Sequence, residues 1–232
     1  VTIADRESEK AIVEHLQSHY PDFSFLAEES HYIESSSQTS FSKSSTRGRW
    51  VIDPLDGTTN YVHGFPIFCI SLALEYDGEV VLGLVDVPLL DEMYTAIQGH
   101  GAYCNERKLQ VSQRTNLSDL LLATGFFSED KAALKEQMIV FNELIYQIRG
   151  VRRAGAAAYD LCQVAAGVFD AYWEKNLKPW DVAAGLLLVR EAGGRVTTYD
   201  GKEFTITDRS LVASNDQVMA SISQVIQGAL KR

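Results

Sequence analysis

The sequence predicts a layered α/β sandwich. Short strand-like runs alternate with amphipathic segments of helical period, and the alternation recurs in the second half of the chain. With 232 residues, 46% of them hydrophobic, there is apolar surface for one sizeable domain of two closely packed α/β halves, roughly 1–125 and 126–232.

The elements follow in order. Residues 4–19 carry Ala11, Ile12, His15 and Leu16 on one stripe, which predicts an amphipathic helix, and Thr2 or Asp5 can cap it. Pro21 closes that helix, and 23–27 is a short strand ending at Glu28 and Glu29. Residues 30–48 are serine-rich and aperiodic, a surface loop between two acidic strand ends. Trp50, Val51 and Ile52 form a buried strand whose pairing is expected to stop at Asp53, because Pro54 cannot donate a ladder hydrogen bond. Residues 68–76, 79–87 and 92–96 are three strands, the first two joined by an Asp77-Gly78 hairpin turn. Short strands near 102–104, 108–111 and 120–124 come next, then a helix over 130–147 with Leu134, Met138, Phe141 and Ile145 on its apolar stripe.

In the second half, Val151, Arg152 and Arg153 lead into Gly155, Ala156, Ala157 and Ala158, small residues that let a backbone approach a ligand closely. A helix over 159–167 and a strand over 169–174, ending in Glu174, follow. Pro179, Trp180 and Asp181 introduce a helix over 182–192, which Gly193 and Gly194 terminate. Strands near 195–198 and 210–213 and a helix over 217–230 complete the chain.

Net charge is −10, which disfavours nucleic acid as the principal ligand and suits a protein that gathers divalent cations. Cys69, Cys104 and Cys162 are odd in number and far apart, so they are expected as reduced thiols of a cytoplasmic protein. No apolar run is long enough for a membrane span, and no secretory signal is visible. The chain opens at Val1, not Met, so a natural N-terminal segment is expected to precede it.

The chemistry concentrates in residues 49–71, RWVIDPLDGTTNYVHGFPIFCIS. Asp53 and Asp56 follow the strand, and Gly57 then lets the backbone turn tightly into Thr58, Thr59 and Asn60. Carboxylates alone repel phosphate, whereas free amides at a turn or helix start attract it. Both together make sense when divalent cations sit between them. Asp-Pro and Asp-Gly are also ordinary turn dipeptides, and Asp181 alone could be a plain N-cap. What joins them is position: Glu28, Asp53, Asp56 and Asp181 all stand at strand ends or helix starts, and Glu174 stands at another strand end. His63 follows the motif and is expected as a packing or supporting histidine.

Four stretches, VTIAD (1–5), FLAEES (25–30), WVIDPLDGTTNYVHGFP (50–66) and PWDVAAGLLLVREAGG (179–194), resemble the inositol monophosphatase family of Mg²⁺-dependent, Li⁺-sensitive sugar phosphatases. The resemblance implies an αβαβα five-layer sandwich, commonly a homodimer, acting on a small-molecule phosphate monoester. It implies that Glu28, Asp53 and the Leu55 carbonyl hold one Mg²⁺, that Asp53, Asp56 and Asp181 hold a second, and that Glu28 reaches a third through waters. Thr58, with Asp5 behind it, would orient and deprotonate the attacking water, and the N–H groups of Gly57 and Thr58 would cradle the phosphate. Glu174 lies seven residues before Asp181, the spacing at which these enzymes place a carboxylate on a ring hydroxyl, and Ala156 and Ala157 match the small residues lining the inositol. Lys175 and Lys178 add two positive charges beside that pocket, and Ala156 stands where many relatives have Thr.

The same motif serves relatives acting on histidinol phosphate, fructose 1,6-bisphosphate or 3′-phosphoadenosine 5′-phosphate. The haloacid dehalogenase-like phosphatases, which form an aspartyl-phosphate, space their two Asp two residues apart. Here the spacing is three, with Pro54 between. A phosphatase-like binding module in a transcription complex is the remaining alternative, although such a scaffold has no need of Glu28, Asp53, Asp56, Thr58 and Asp181 together.

Overall fold

The structure, a computed structural model, describes residues 1–33, 47–127 and 130–231. Helix α1 (Ile3–His19) is opened by a capping box, in which Thr2 accepts from the first-turn amides and Asp5 reaches back to the Thr2 N–H. Strands β1 (Ser24–Ala27), β2 (His31–Ile33) and β3 (Gly48–Asp56) follow, then the short helix α2 (Thr58–His63). A meander completes the first sheet: β4 (Cys69–Tyr76), β5 (Glu79–Val87), β6 (Glu92–Ile97), β7 (Gly101–Cys104) and β8 (Arg107–Lys108). Its eight strands run in the order β2-β1-β3-β4-β5-β6-β7-β8, with β1 and β3 parallel. Asp77 and Gly78 both have positive φ (50° and 85°), as a type I′ hairpin between β4 and β5 requires.

The second half begins with β9 (Leu121–Thr124), α3 (Lys131–Ile145), β10 (Gly150–Arg152), α4 (Ala157–Ala165) and β11 (Ala171–Lys175); because β9 pairs in the second sheet, the change of sheet falls before residue 121 and not near 125 as expected. It ends with α5 (Pro179–Glu191), β12 (Arg195–Thr197), β13 (Ser210–Ser214) and α6 (Asp216–Leu230). The second sheet has the order β10-β9-β11-β13-β12. Three buried clusters fix the layering. Val13 of α1 packs on Phe25, Trp50 and Ile52, covering the outer face of the first sheet. Leu161 of α4 and Leu186 and Leu188 of α5 fill the space between the sheets with Val51, Val85, Tyr94 and Tyr172. Leu144 of α3 and Ile222 and Ile226 of α6 pack on Leu122, Trp173 and Val212 on the far side of the second sheet. The order is helix, sheet, helices, sheet, helices: the five-layer sandwich.

Four details differ from the sequence reading. The serine-rich stretch expected as a loop from residue 30 begins instead with β2, antiparallel to β1; residues 34–46 lie outside the described residues. Residues 150–152 form the edge strand β10, parallel to β9, rather than a lead-in. The buried face of α1 is Asp5, Glu9 and Val13, while Ala11 and His15 are exposed. Its acids are inside because they have partners there: the Glu9 carboxylate accepts the Glu29 N–H at 2.8 Å. The inner face of α3 is likewise rotated by one residue, to Ala133, Gln137, Val140 and Leu144, and Met138 is exposed. Gln137 turns inward because its amide donates to Thr124 Oγ1, Gly125 O and Trp173 O and accepts from Tyr199 Oη.

All three cysteines are free and buried. No helix among the described residues is long and apolar enough to cross a membrane.

Candidate active site

Parallel pairing of β1 with β3 puts Ala27 opposite Ile52, and the Glu28 N–H continues the ladder to Ile52 O at 3.1 Å. Glu28 and Asp53 therefore stand side by side where the parallel pairing of β1 with β3 ends, the kind of place at which α/β folds commonly open a crevice. Strand β3 does not stop at Asp53 as expected. Its pairing with β4 passes from Asp53–Ser71 to Asp56–Cys69, three steps on one strand against two on the other, which is a β-bulge. Residues three apart on a regular strand face opposite sides. The extra residue cancels that offset and turns Asp53 and Asp56 toward the same place. Pro54 fits inside the bulge, where a ladder N–H is not needed. Asp53 is 2% exposed, and its Oδ1 accepts the Leu55 N–H at 3.0 Å.

Gly57 then turns the chain with φ of 94°, and a Cβ there would lie 3.0 Å from Ile67 O and 3.3 Å from Ala156 Cβ. Both the left-handed backbone and the space demand glycine. Thr58 follows, its hydroxyl donating to Asp5 Oδ1 at 2.9 Å and lying 3.1 Å from Leu55 O. Burial pushes the Asp5 carboxyl up, but hydrogen bonds from Thr2 and Thr58 outweigh it and hold the group below its ordinary value.

The second half supplies the remaining acids. Asp56 Oδ2 accepts the Ala158 N–H at 2.7 Å, capping α4, whose own N-cap, Ala156, has no side chain to do so. Cys69 Sγ lies 3.7 Å from the same oxygen. Helix α5 lies against the first sheet, with Pro179 at its first position and Asp181 at its third. The Asp181 carboxylate accepts the Lys178 N–H at 2.7 Å, so it does cap its helix while facing the other acids. Glu174, on β11, takes a short hydrogen bond from the Tyr172 hydroxyl.

Burial pushes Asp53 well above the ordinary carboxylate range, and the charges of Asp56, Glu28 and Asp181 push the same way. Burial raises Asp56 to about 7, against the lowering effect of the Ala158 and Ala157 amides. Burial and then the neighbouring Asp56 raise Asp181 to about 8, and burial raises Glu28 as well. Buried like charges are costly without a compensating cation. Were Glu28, Asp53, Asp56, Asp181 and the Leu55 carbonyl to hold a metal, every donor would be oxygen, which suits a hard cation. Among the described residues, no three His, Cys, Asp or Glu side chains close into a ready-made metal cage. His63 joins neither the site nor the core: it is exposed on the last turn of α2, contrary to the packing role expected of it.

A cavity of about 590 Å³ opens beside these acids, lined by Glu28, Asp56, Asp181, Ala156, Ala157 and Glu174. Lys175 and Lys178 both border it, but Lys175 is held in an ion pair with Glu136. Its lining also includes Gly125, Arg153 and Asp160, to which the sequence reading gave no role. Asp160 is 1% exposed, and its Oδ1 has no hydrogen-bond partner among the described residues. The available signal was the one charged residue of α4, one turn after the small-residue loop.

The family model described as the inositol monophosphatase family matches residues 1–229. The chain belongs to that family. An inositol-1-monophosphatase of Rhizobium meliloti is 41% identical over 98% of this chain and 82% of its own length. A protein named Nus factor SuhB from Pseudomonas aeruginosa is 42% identical over 98% of this chain and 82% of its own. The crystal structure of extragenic suppressor protein suhB from Bartonella henselae superposes with a TM-score of 0.90 at 39% identity, covering 98% of this chain and 84% of that one. Family membership makes the chain a phosphatase of phosphate monoesters, in a family that is generally metal-dependent.

Proposed function

We propose that the chain is a Mg²⁺-dependent phosphomonoesterase that hydrolyses inositol 1-phosphate, or a related small polyol phosphate, by direct attack of water. The observation that carries this is the convergence of four acids, one just past β1, two from β3 and one from the start of α5, beside the Thr58–Asp5 hydrogen bond. Glu28, Asp53, the Leu55 carbonyl, Asp56 and Asp181 would hold two or three ions. Bound Mg²⁺ supplies charge neutralisation on the phosphoryl oxygens and lowers the pKa of a coordinated water.

The chain's own groups do the rest. Thr58 donates its hydroxyl hydrogen bond to Asp5 Oδ1, which leaves a lone pair of Thr58 Oγ1 to accept from the attacking water and to orient it. Hydrogen bonds hold Asp5 below its ordinary value, which suits an orienting anchor more than a strong base. The N–H groups of Gly57 and Thr58, at the start of α2, would cradle the phosphate. Ala156 and Ala157 leave room for the ring, and Glu174 would accept one of its hydroxyls.

The test is phosphate release, with and without Mg²⁺, on inositol 1-phosphate, histidinol phosphate, fructose 1,6-bisphosphate and 3′-phosphoadenosine 5′-phosphate. Turnover that needs Mg²⁺ and is led by inositol 1-phosphate is expected; leadership by another ester would keep the mechanism and replace the substrate. Glu174→Gln is expected to lower kcat/KM on inositol 1-phosphate by about tenfold or more and to cost far less on glycerol 2-phosphate. Equal losses on both would remove Glu174 as the hydroxyl-reading group.

The relatives named Nus factor SuhB favour a second reading, a binding role in a transcription complex alongside catalysis. Asp53→Asn separates the two: a binding role predicts that transcription proteins are captured equally by wild type and by this variant. Capture by neither would eliminate it.

A further inference from the structure

Strands β9 and β11 run parallel with Thr124 opposite Trp173, so the next residues, Gly125 and Glu174, emerge side by side at the rim of the cavity. A Cβ on Gly125 would stand 2.0 Å from Glu174 Oε2, 2.4 Å from its Cδ and 2.5 Å from its Oε1. The Glu174 carboxylate thus occupies the space that any side chain at 125 would fill. Gly125 does not have the positive φ that marks Gly57 and eight other glycines, so its backbone asks for no glycine. Only the seat of Glu174 does.

The seat is held from two sides. Above it, the fully buried Tyr172 donates its hydroxyl to Glu174 Oε2. Below it, Gln137 Nε2 donates to Gly125 O at 3.1 Å and to Trp173 O at 3.3 Å, tying the ends of the two strands together. Thr124 Oγ1 donates across to Trp173 O at 2.7 Å, and Tyr199 Oη fixes the other end of the Gln137 amide at 2.7 Å. These groups set the spacing of the two strand ends, and hence the height at which the carboxylate enters the cavity.

We propose that Gly125 is a specificity-determining position: its missing side chain, with Tyr172 and Gln137, seats the Glu174 carboxylate where a substrate hydroxyl can reach it. The proposal rests on the reading of Glu174 as the hydroxyl-binding group. Gly125, Tyr172 and Gln137 are positioning residues that act only through Glu174. Discrimination between polyol phosphates and plain phosphate esters therefore depends on a residue that touches neither phosphate nor metal ligands.

The experiment is a double-mutant cycle read as a ratio of kcat/KM on inositol 1-phosphate to that on glycerol 2-phosphate, in the presence of Mg²⁺. Gly125→Ala and, separately, Tyr172→Phe are expected to lower that ratio by about tenfold. In a Glu174→Ala background neither should lower it further, which a purely structural defect would not produce. If Glu174→Ala lowers the ratio but Gly125→Ala and Tyr172→Phe reduce both substrates equally, the proposal is overturned while the role of Glu174 stands. If Glu174→Ala itself leaves the ratio unchanged, the underlying reading fails and the proposal falls with it. Should Gly125→Ala not fold, Tyr172→Phe, which deletes one hydroxyl, decides alone.

Discussion

Asp53→Asn is expected to lower kcat/KM for phosphate release by at least about two orders of magnitude while the protein stays folded. The change is isosteric, and an Asn Oδ1 can still accept the Leu55 N–H that Asp53 accepts at 3.0 Å. What is lost is one negative charge, at the position where Glu28, Asp56 and Asp181 all bear on the same carboxylate. That charge is what a bound cation requires. The same substitution should leave thermal stability in the absence of Mg²⁺ equal or higher, since it removes a buried acid with like-charged neighbours. Loss of activity together with retained or raised Tm separates a ligand from a structural residue. Turnover within about tenfold of wild type would exclude Asp53 from the cation site.

The second large effect is on stability as a function of pH. Asp56 and Asp181 are raised to about 7 and about 8, and Asp53 is raised well above its ordinary value, in each case first by burial. A carboxyl with a raised folded-state pKa binds its proton more tightly in the folded chain than in the unfolded one. Its contribution to stability is complete below the ordinary carboxylate range and is lost as pH rises through the folded value. Without Mg²⁺, Tm should therefore fall by about 5 °C or more between about pH 5.5 and about pH 8.5. Mg²⁺ at about one hundred times its Kd should restore about 2.7 kcal/mol. At one fixed Mg²⁺ concentration the restoration should be larger at the alkaline end, because Kd falls once protons no longer compete for the same oxygens. A Tm that is flat or rising over this interval without Mg²⁺ would show that these acids do not titrate as a buried cluster.

The parts legible in the sequence were those in which one short stretch carries both the turn and the chemistry. Asp53, Asp56, Gly57 and Thr58 lie within six residues, so the glycine turn and the helix start are nearly dictated locally, whereas the bulge that carries β3 past Asp53 depends on pairing with β4 and was missed. The helix faces were less legible, because apolar periodicity assumes that polar side chains face out. Glu9 and Gln137 face in, each satisfied by backbone groups from other elements, and both helices are rotated accordingly. Gly125 was invisible for a different reason: its meaning is the parallel register of two strands separated by helix α3, β10 and α4. Strand β2 was hidden in the same way, since only its pairing with β1 distinguishes it from the polar loop in which it lies.

Asp56 caps α4 through a hydrogen bond spanning 102 residues, Asn60 holds Ala154 O across 94, and Thr58 meets Asp5 across 53. Closing the first two loops comes at an entropic cost that only docking of the two halves repays, whereas the third closes within the first half once α1 packs. During refolding, the motif strand and its hairpins can form early without any cradle for phosphate, because the helix that Asp56 caps has yet to arrive. Catalytic competence is thus expected late on the folding pathway, with recovered turnover lagging recovered secondary structure in a refolding experiment.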